Sequence, residues 1–279
     1  MSKLIKLDEK HLQKFRKLAV IGDLHGDYNA LKSALGVVDS TKDGIIFLGD
    51  YADRGKYGVK VIETVDVLVK KRPKNVFCLK GNHEDYSESG EPYWSPCELK
   101  DKEIPQARWP SYFRDKLQPF IRSLSLAVIV PGQALFVHGG ISSKIAGLND
   151  LEQSTKEVER DLLWSDPTEK NGEYTDFRGR PKFGPDISKN VCQKIGVKRI
   201  IRSHEPSIVM EAGAPCYSHD GRVLTTSTTA IDPRYKPFII SISPADFSIR
   251  CLRIDANLPV ESEIVNCRSN VLGWPISRN

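Results

Sequence analysis

Short apolar runs alternate with amphipathic stretches through the first half of the chain. LAVIG (18–22) and GIIFLG (44–49) read as strands, and YNALKSALGVV (28–38) between them carries apolar residues at helical spacing, which completes a β-α-β unit. The alternation continues. YGVKVIETVDVLVKK (57–71), with Val61, Val65 and Leu68 on one face, predicts a helix that Pro73 ends, and NVFCLKGN then starts another strand. Residues 86–118 lack a clean period and predict a loop with short helices beside the site. AVIV (127–130) and ALFV (134–137), separated by Pro-Gly-Gln, predict a hairpin, and LEQSTKEVERDLLW (151–164) a helix. A loop rich in Gly, Pro and charge is expected over 166–186, then ISKNVCQKIG as a helix and RIIRSH, RVLTT, PFIISIS and FSIRCLRI as strands. With no internal repeat or linker, the expectation is a single α/β domain over residues 1–279, two mixed sheets packed together and flanked by helices.

Composition narrows the setting. Hydrophobic residues make up 39% and charged residues 28% of the 279 positions, as in an ordinary globular protein. The formal charge of +5 has no long single-sign block behind it, and no basic groove with interleaved aromatics is legible, which argues against nucleic acid as a partner. The N-terminal stretch is broken by charges and lacks the apolar centre of a signal peptide, so a cytoplasmic site is expected. No apolar run approaches the ~18–20 residues that span a bilayer. Six cysteines form no CxxC knuckle, and Cys78 and Cys251, in apolar or alternating runs, read as buried thiols in a reducing compartment.

The chemistry is concentrated in five short clusters that directly follow apolar runs: GDLHG (22–26), GDYADRG (49–55), GNHE (81–84), HGG (138–140) and RSHE (202–205). Imidazoles and carboxylates at strand ends can converge on one crevice and hold metal ions. Asp23 and His25 lie in one glycine-flanked turn, Asp50 has two carboxylate oxygens with which to bridge ions, and Asn82, His138 and His204 can complete the ligand set of a second ion. Singly, each cluster could be a capped turn or a satisfied core histidine; five in register make that coincidence hard to sustain.

In this order, and with DLLWSDP at 161–167, the clusters resemble the signature series of the phosphoprotein phosphatase (PPP) family of serine/threonine phosphatases over residues 22–205. The resemblance implies a calcineurin-like metallophosphoesterase fold. It also implies two divalent ions, Mn preferred with Fe or Zn as options, with Asp23, His25 and Asp50 around one and Asp50, Asn82, His138 and His204 around the other. Two such ions roughly 3.5–4 Å apart would acidify a water and offset phosphoryl charge. By the same resemblance His83 protonates the leaving alkoxide, Asp53 orients that imidazole, and Arg54 with Arg178 clamps the phosphate beside Asn82. The spacing from Arg178 to Phe183 is one residue short of the family pattern, which leaves Arg180 open for the second clamp.

Two departures matter. The family's eukaryotic members carry a tyrosine-containing loop near the C-terminus, where this chain reads TTSTTAIDPRY, so it looks more like the compact archaeal and bacterial relatives and its regulatory subunits are unknown. Tyr93, Trp94 and Trp109 in the 86–118 segment could bind a peptide or nucleobase, but such residues are more often local core. The expected partner is a phosphorylated protein or peptide. The alternatives are a dinucleoside polyphosphate hydrolase, a cyclic phosphodiesterase, or a catalytically silent phosphopeptide-binding module.

Overall fold

A computed structural model describes residues 3–232 and 234–254 and the backbone of 264–265. Its strands are β1 (Leu4–Lys6), β2 (Leu18–Ile21), β3 (Gly44–Phe47), β4 (Val76–Cys78), β5 (Ala127–Val130), β6 (Ala134–Val137), β7 (Asp166–Pro167), β8 (Glu173–Thr175), β9 (Pro181–Phe183), β10 (Arg199–Arg202), β11 (Cys216–Ser218), β12 (Val223–Thr225), β13 (Phe238–Ile242), β14 (Ile249–Arg253) and β15 (Ile264–Val265). They form two six-stranded sheets, ordered β1-β5-β6-β10-β12-β11 and β15-β14-β13-β2-β3-β4, and a small sheet β7-β9-β8. Both large sheets are mixed. β2, β3 and β4 run parallel in one, and β6, β10 and β12 run parallel in the other.

Alternation along each strand sorts side chains between two interfaces. Leu18, Val20, Ile46 and Leu48 face Val128, Val130, Phe136, Ile201 and Leu224 of the second sheet, so the sheets stack face to face. Ala19, Ile21, Ile45 and Phe47 face the opposite way, onto Leu31, Ala34, Val61 and Val65 of the helices Tyr28–Gly36 and Gly58–Lys71. Ala127, Ile129, Leu135 and Val137 do the same against the helices Lys156–Trp164 and Pro185–Ile195. Strands buried on both faces have no room for polar side chains, which is why the runs are continuously apolar. The result is the mixed α/β architecture expected, two sheets flanked by helices.

Some elements differ from expectation. The helix expected over 151–164 is two, Leu148–Glu152 and Lys156–Trp164, because the Thr155 side chain accepts from the Val158 N–H and starts a new helix. The loop expected over 166–186 contains β7, β8 and β9. β1 and the helix Pro206–Ala212 carry too little periodicity to be anticipated. In the 86–118 segment Trp109 is core, as the bland reading has it, whereas Tyr93 is exposed and Trp94 is half-buried. Cys78 and Cys251 are both buried, and Cys267 lies outside the described residues.

Candidate metal centre

All six expected ligands follow the C-terminal ends of strands: Asp23 and His25 after β2, Asp50 after β3, Asn82 after β4, His138 after β6 and His204 after β10. Because these strands are parallel within their sheets, their ends meet on one side of the sandwich, where a doubly flanked sheet leaves its crevice. All six are buried. The loops depart from ordinary backbone: His25, Asp50, Asp53, Arg54 and His204 have φ between 44° and 74°. Non-glycine residues adopt this left-handed region rarely and at a cost, so surrounding bonds must hold them there. The Asp50 carbonyl accepts from the N–H groups of Leu24 and His25 (3.1 and 2.9 Å), and the buried Glu84 carboxylate accepts from the N–H groups of Asp50, Tyr51 and Gly81 (2.9, 3.0 and 2.9 Å). Gly49 has φ +104°, and a Cβ there would lie 2.5 Å from the Gly81 nitrogen, which requires glycine.

The Nδ1 atom of each histidine is engaged by an oxygen, which leaves Nε2 to face the crevice. His25 Nδ1 is 3.1 Å from the Ala52 carbonyl, His138 Nδ1 2.9 Å from the Leu48 carbonyl, and His204 Nδ1 2.7 Å from Asp166 Oδ1. Burial pushes the His138 and His204 rings down to about 4, against the pull of Asp23 and Asp166, and pushes His25 well below the ordinary range with help from the Arg54 charge. Such rings are neutral and keep a lone pair for a metal. His83 goes the other way. Its Nδ1 is 2.7 Å from Asp53 Oδ2, and although burial lowers its affinity for a proton, Asp50 and Asp53 outweigh burial and raise it above the ordinary value.

The donor set asks for cations. Asp23 Oδ2, His25 Nε2, Asp50 Oδ2 and His204 Nε2 are buried with no hydrogen-bond partner among the described residues. Unsatisfied buried polar atoms are rare and costly, and four of them in one crevice fit ligand atoms better than core. Asn82 Oδ1 and His138 Nε2 face each other at 2.9 Å. Burial, then the neighbouring Asp50, raises Asp23, a repulsion that a divalent ion would relieve. Ligand atoms within 4.8 Å of one another group as Asp23, Asp50 and His138, and as His25, Asp50 and His83. Asp50 belongs to both groups, as a bridging carboxylate must, while Asp23 stands with His138 where the sequence paired it with His25.

Arg54 is exposed beside the buried Asp53. Arg178 is exposed and places its guanidinium 5.1 Å from the centre of the Phe177 ring, whereas Arg180 comes within 3.7 Å of Asp166. Four contributors escaped the sequence reading of the site. Asp166 holds His204 and also accepts from Arg202 (2.7 Å) and Lys182 (2.9 Å); burial would raise this carboxylate, but His204, Arg202 and Lys182 hold it well below the usual range. Arg202, fully buried, reaches the Gly139 carbonyl, Glu205 and Asp166 and so ties the HGG and RSHE clusters to the DLLWSDP motif. Glu84 braces the Asp50 loop as described. Trp94 donates from Nε1 to Asp53 Oδ2 at 3.2 Å. DLLWSDP marked Asp166 as part of a motif, but nothing local in the sequence says what it touches.

Comparison with known proteins agrees with the fold. The calcineurin-like phosphoesterase family matches residues 16–207, and the chain belongs to that family. It is a metallophosphoesterase with a candidate centre for divalent ions. It is 31% identical over 236 residues to serine/threonine-protein phosphatase 5 of Homo sapiens, across 81% of this chain and 45% of that protein. Serine/threonine-protein phosphatase T of Aspergillus oryzae is 31% identical over 238 residues, across 78% and 46%. The chain thus spans about half the length of the curated relatives it matches. Among solved structures, a Saccharomyces cerevisiae protein serine/threonine phosphatase with similarity to human PP5 superposes with a TM-score of 0.74 at 24% identity, covering 94% of this chain and 87% of that one. A cold-active protein-tyrosine phosphatase of a Shewanella species shares the fold (TM-score 0.57, 16% identity, 95% and 82% covered). Among the described residues no helix is long and apolar enough to cross a membrane.

Proposed function

We propose that this chain is a serine/threonine protein phosphatase, a single catalytic domain that hydrolyses phosphate monoesters on phosphorylated proteins. The observation that carries the reading is the His83–Asp53 pair, 2.7 Å apart, whose outer Nε2 lies 4.0 Å from Asp50 Oδ2 beside the unpartnered ligand atoms. Asp23, His25, Asp50, Asn82, His138 and His204 would hold two divalent ions, with Asp50 shared. When bound, the ions supply an acidified water and offset the charge on the phosphoryl oxygens. The mixture of imidazole and oxygen donors suits manganese, with iron or zinc next.

The chain's own residues account for the rest. His83, whose charged form Asp50 and Asp53 favour, would face the leaving group. As the water oxygen bonds to phosphorus, the ester P–O bond breaks, and its electron pair stays on the seryl or threonyl oxygen, which takes the Nε2 proton. The products are the free hydroxyl and inorganic phosphate. Arg54, on the rim next to Asp53, has the forked donors that match two phosphoryl oxygens, and Asn82 lies within the same crevice. For the second guanidinium Arg178 and Arg180 are the candidates, and the 3.7 Å approach of Arg180 to Asp166, which holds His204, supports Arg180. The free thiols of Cys78, Cys97 and Cys192, all buried, support a cytoplasmic, reducing location.

The test is phosphate release from a phosphothreonine peptide by metal-stripped protein, before and after manganese is added, with diadenosine tetraphosphate in parallel. Manganese-dependent release from the peptide is expected. Cleavage of the dinucleotide alone would replace the substrate assignment, and peptide binding without turnover would replace the enzymatic one.

A further inference from the structure

The Asp53 carboxylate is fully buried and sits on a left-handed residue with φ 68°, so its orientation depends on what donates to it. Three groups do. His83 Nδ1 lies 2.7 Å from Oδ2, the Trp94 indole N–H donates to the same Oδ2 at 3.2 Å, and the Leu99 backbone N–H donates to Oδ1 at 2.8 Å. The indole also walls the imidazole, with the two ring centres 5.1 Å apart and the planes inclined by 55°. On its other side it meets Tyr86 edge to face at 4.7 Å, and Tyr86 in turn packs on Trp109 and Phe113 at 5.9 and 5.6 Å. The Trp109 N–H is tied to the Gly90 carbonyl at 3.1 Å, so the ring stack is itself anchored.

We infer that Trp94 is a positioning residue for the general acid, its indole N–H sharing Asp53 Oδ2 with His83 so that carboxylate and ring are held in one orientation. The inference rests on the proposed role of His83. An indole N–H is not given up near neutral pH, so this donor stays in place whatever His83 does. Two donors on one oxygen and a third on the other fix the direction in which the Asp53 carboxylate meets the ring, and with it the direction in which Nε2 points at the departing oxygen. A phenyl ring at position 94 keeps the wall and loses the donor. That separates packing from proton transfer.

The separation is measurable through the leaving group. A threonyl alkoxide needs protonation as it departs, whereas p-nitrophenolate is stable enough to leave with little help. In manganese-loaded protein, kcat for a phosphothreonine peptide divided by kcat for p-nitrophenyl phosphate should fall about tenfold in Trp94→Phe. Trp94→His, which retains a ring N–H, should recover part of that ratio. An unchanged ratio in Trp94→Phe, whether both rates fall together or neither falls, would overturn the inference. A second readout needs no turnover. In metal-free protein the indole N–H resonance of Trp94, assigned by its loss in Trp94→Phe, should move in Asp53→Asn; a resonance that stays put means no such hydrogen bond and also overturns it. Wild-type protein that hydrolyses neither ester would refute the proposed activity, and the resonance would still report the contact.

Discussion

The two sheets deliver their ligands to the centre by different means. On the β2-β3-β4 side Asp23, His25, Asp50 and Asn82 ride on short loops held through backbone N–H groups: the Asp50 carbonyl takes two, the Glu84 carboxylate takes three, and Gly49 and Gly81 approach too closely for a side chain. On the β6-β10 side His204 depends on a side-chain network, in which Asp166 and Arg202 brace it from outside. The bracing on the first side reaches nearly as far as that on the second, 34 residues from Glu84 to Asp50, but its donors are all backbone N–H groups, so it changes little when a side chain other than that of Glu84 is altered. Side-chain bracing spans 38 residues between Asp166 and His204 and rests on single buried charges. One half of the centre should therefore tolerate substitution around its ligands better than the other.

The strongest perturbation removes what both halves share. Asp50→Asn should lose both ions and about 10³-fold in turnover, checked by elemental analysis together with phosphate release. Loss of one ion only would mean that the two halves bind independently. His83→Asn should slow turnover roughly 10²-fold or more with metal content nearly intact, and metal loss there would make His83 a ligand in place of an acid. On the braced side, Asp166→Ala should weaken metal binding about 10–100-fold, read by titration of manganese. The same change leaves Arg202 with Glu205 as its remaining carboxylate partner, and the unfolding free energy should drop by about 3 kcal/mol in a denaturant series. If Asp166→Ala costs no more than an exposed substitution, the contrast between the halves fails.

Acidity gives the gentlest probe. In metal-free protein His138 and His204 stay neutral down to about 4, whereas the same imidazoles in the unfolded chain take up protons near the ordinary histidine value of 6.5. Between those limits the unfolded state binds more protons, so stability is present above about 6.5 and is lost as pH falls toward 4, by up to about 3 kcal/mol for each ring. His83, held above its ordinary value, acts in the opposite sense and reduces the net loss. Melting temperatures of metal-free protein from pH 7 to pH 4 should fall, and a flat profile would contradict the buried neutral state of these rings.

Much of this molecule is legible in one dimension because its determinants are local. The strands buried on both faces show as unbroken apolar runs, the helix Gly58–Lys71 shows its core face as Val61 and Val65, and each expected ligand sits within four positions of the end of a strand. Residue type, order and spacing were enough to foresee the family and the two packed sheets.

What remained hidden depends on distance through space. Thr155 divides a helix that periodicity alone would join, and Asp166 sits in an expected loop that proves to hold a small sheet. Trp94 reads as core until the fold carries it 41 residues back to Asp53, and the choice between Arg178 and Arg180 turns on which way a short hairpin directs each guanidinium. The sequence by itself determined which elements form and which residues carry chemistry, because hydrophobic period and turn composition act over a few residues. Only the tertiary structure decided which carboxylate braces which imidazole, because hydrogen-bond geometry between distant segments is defined only after the sheets have packed.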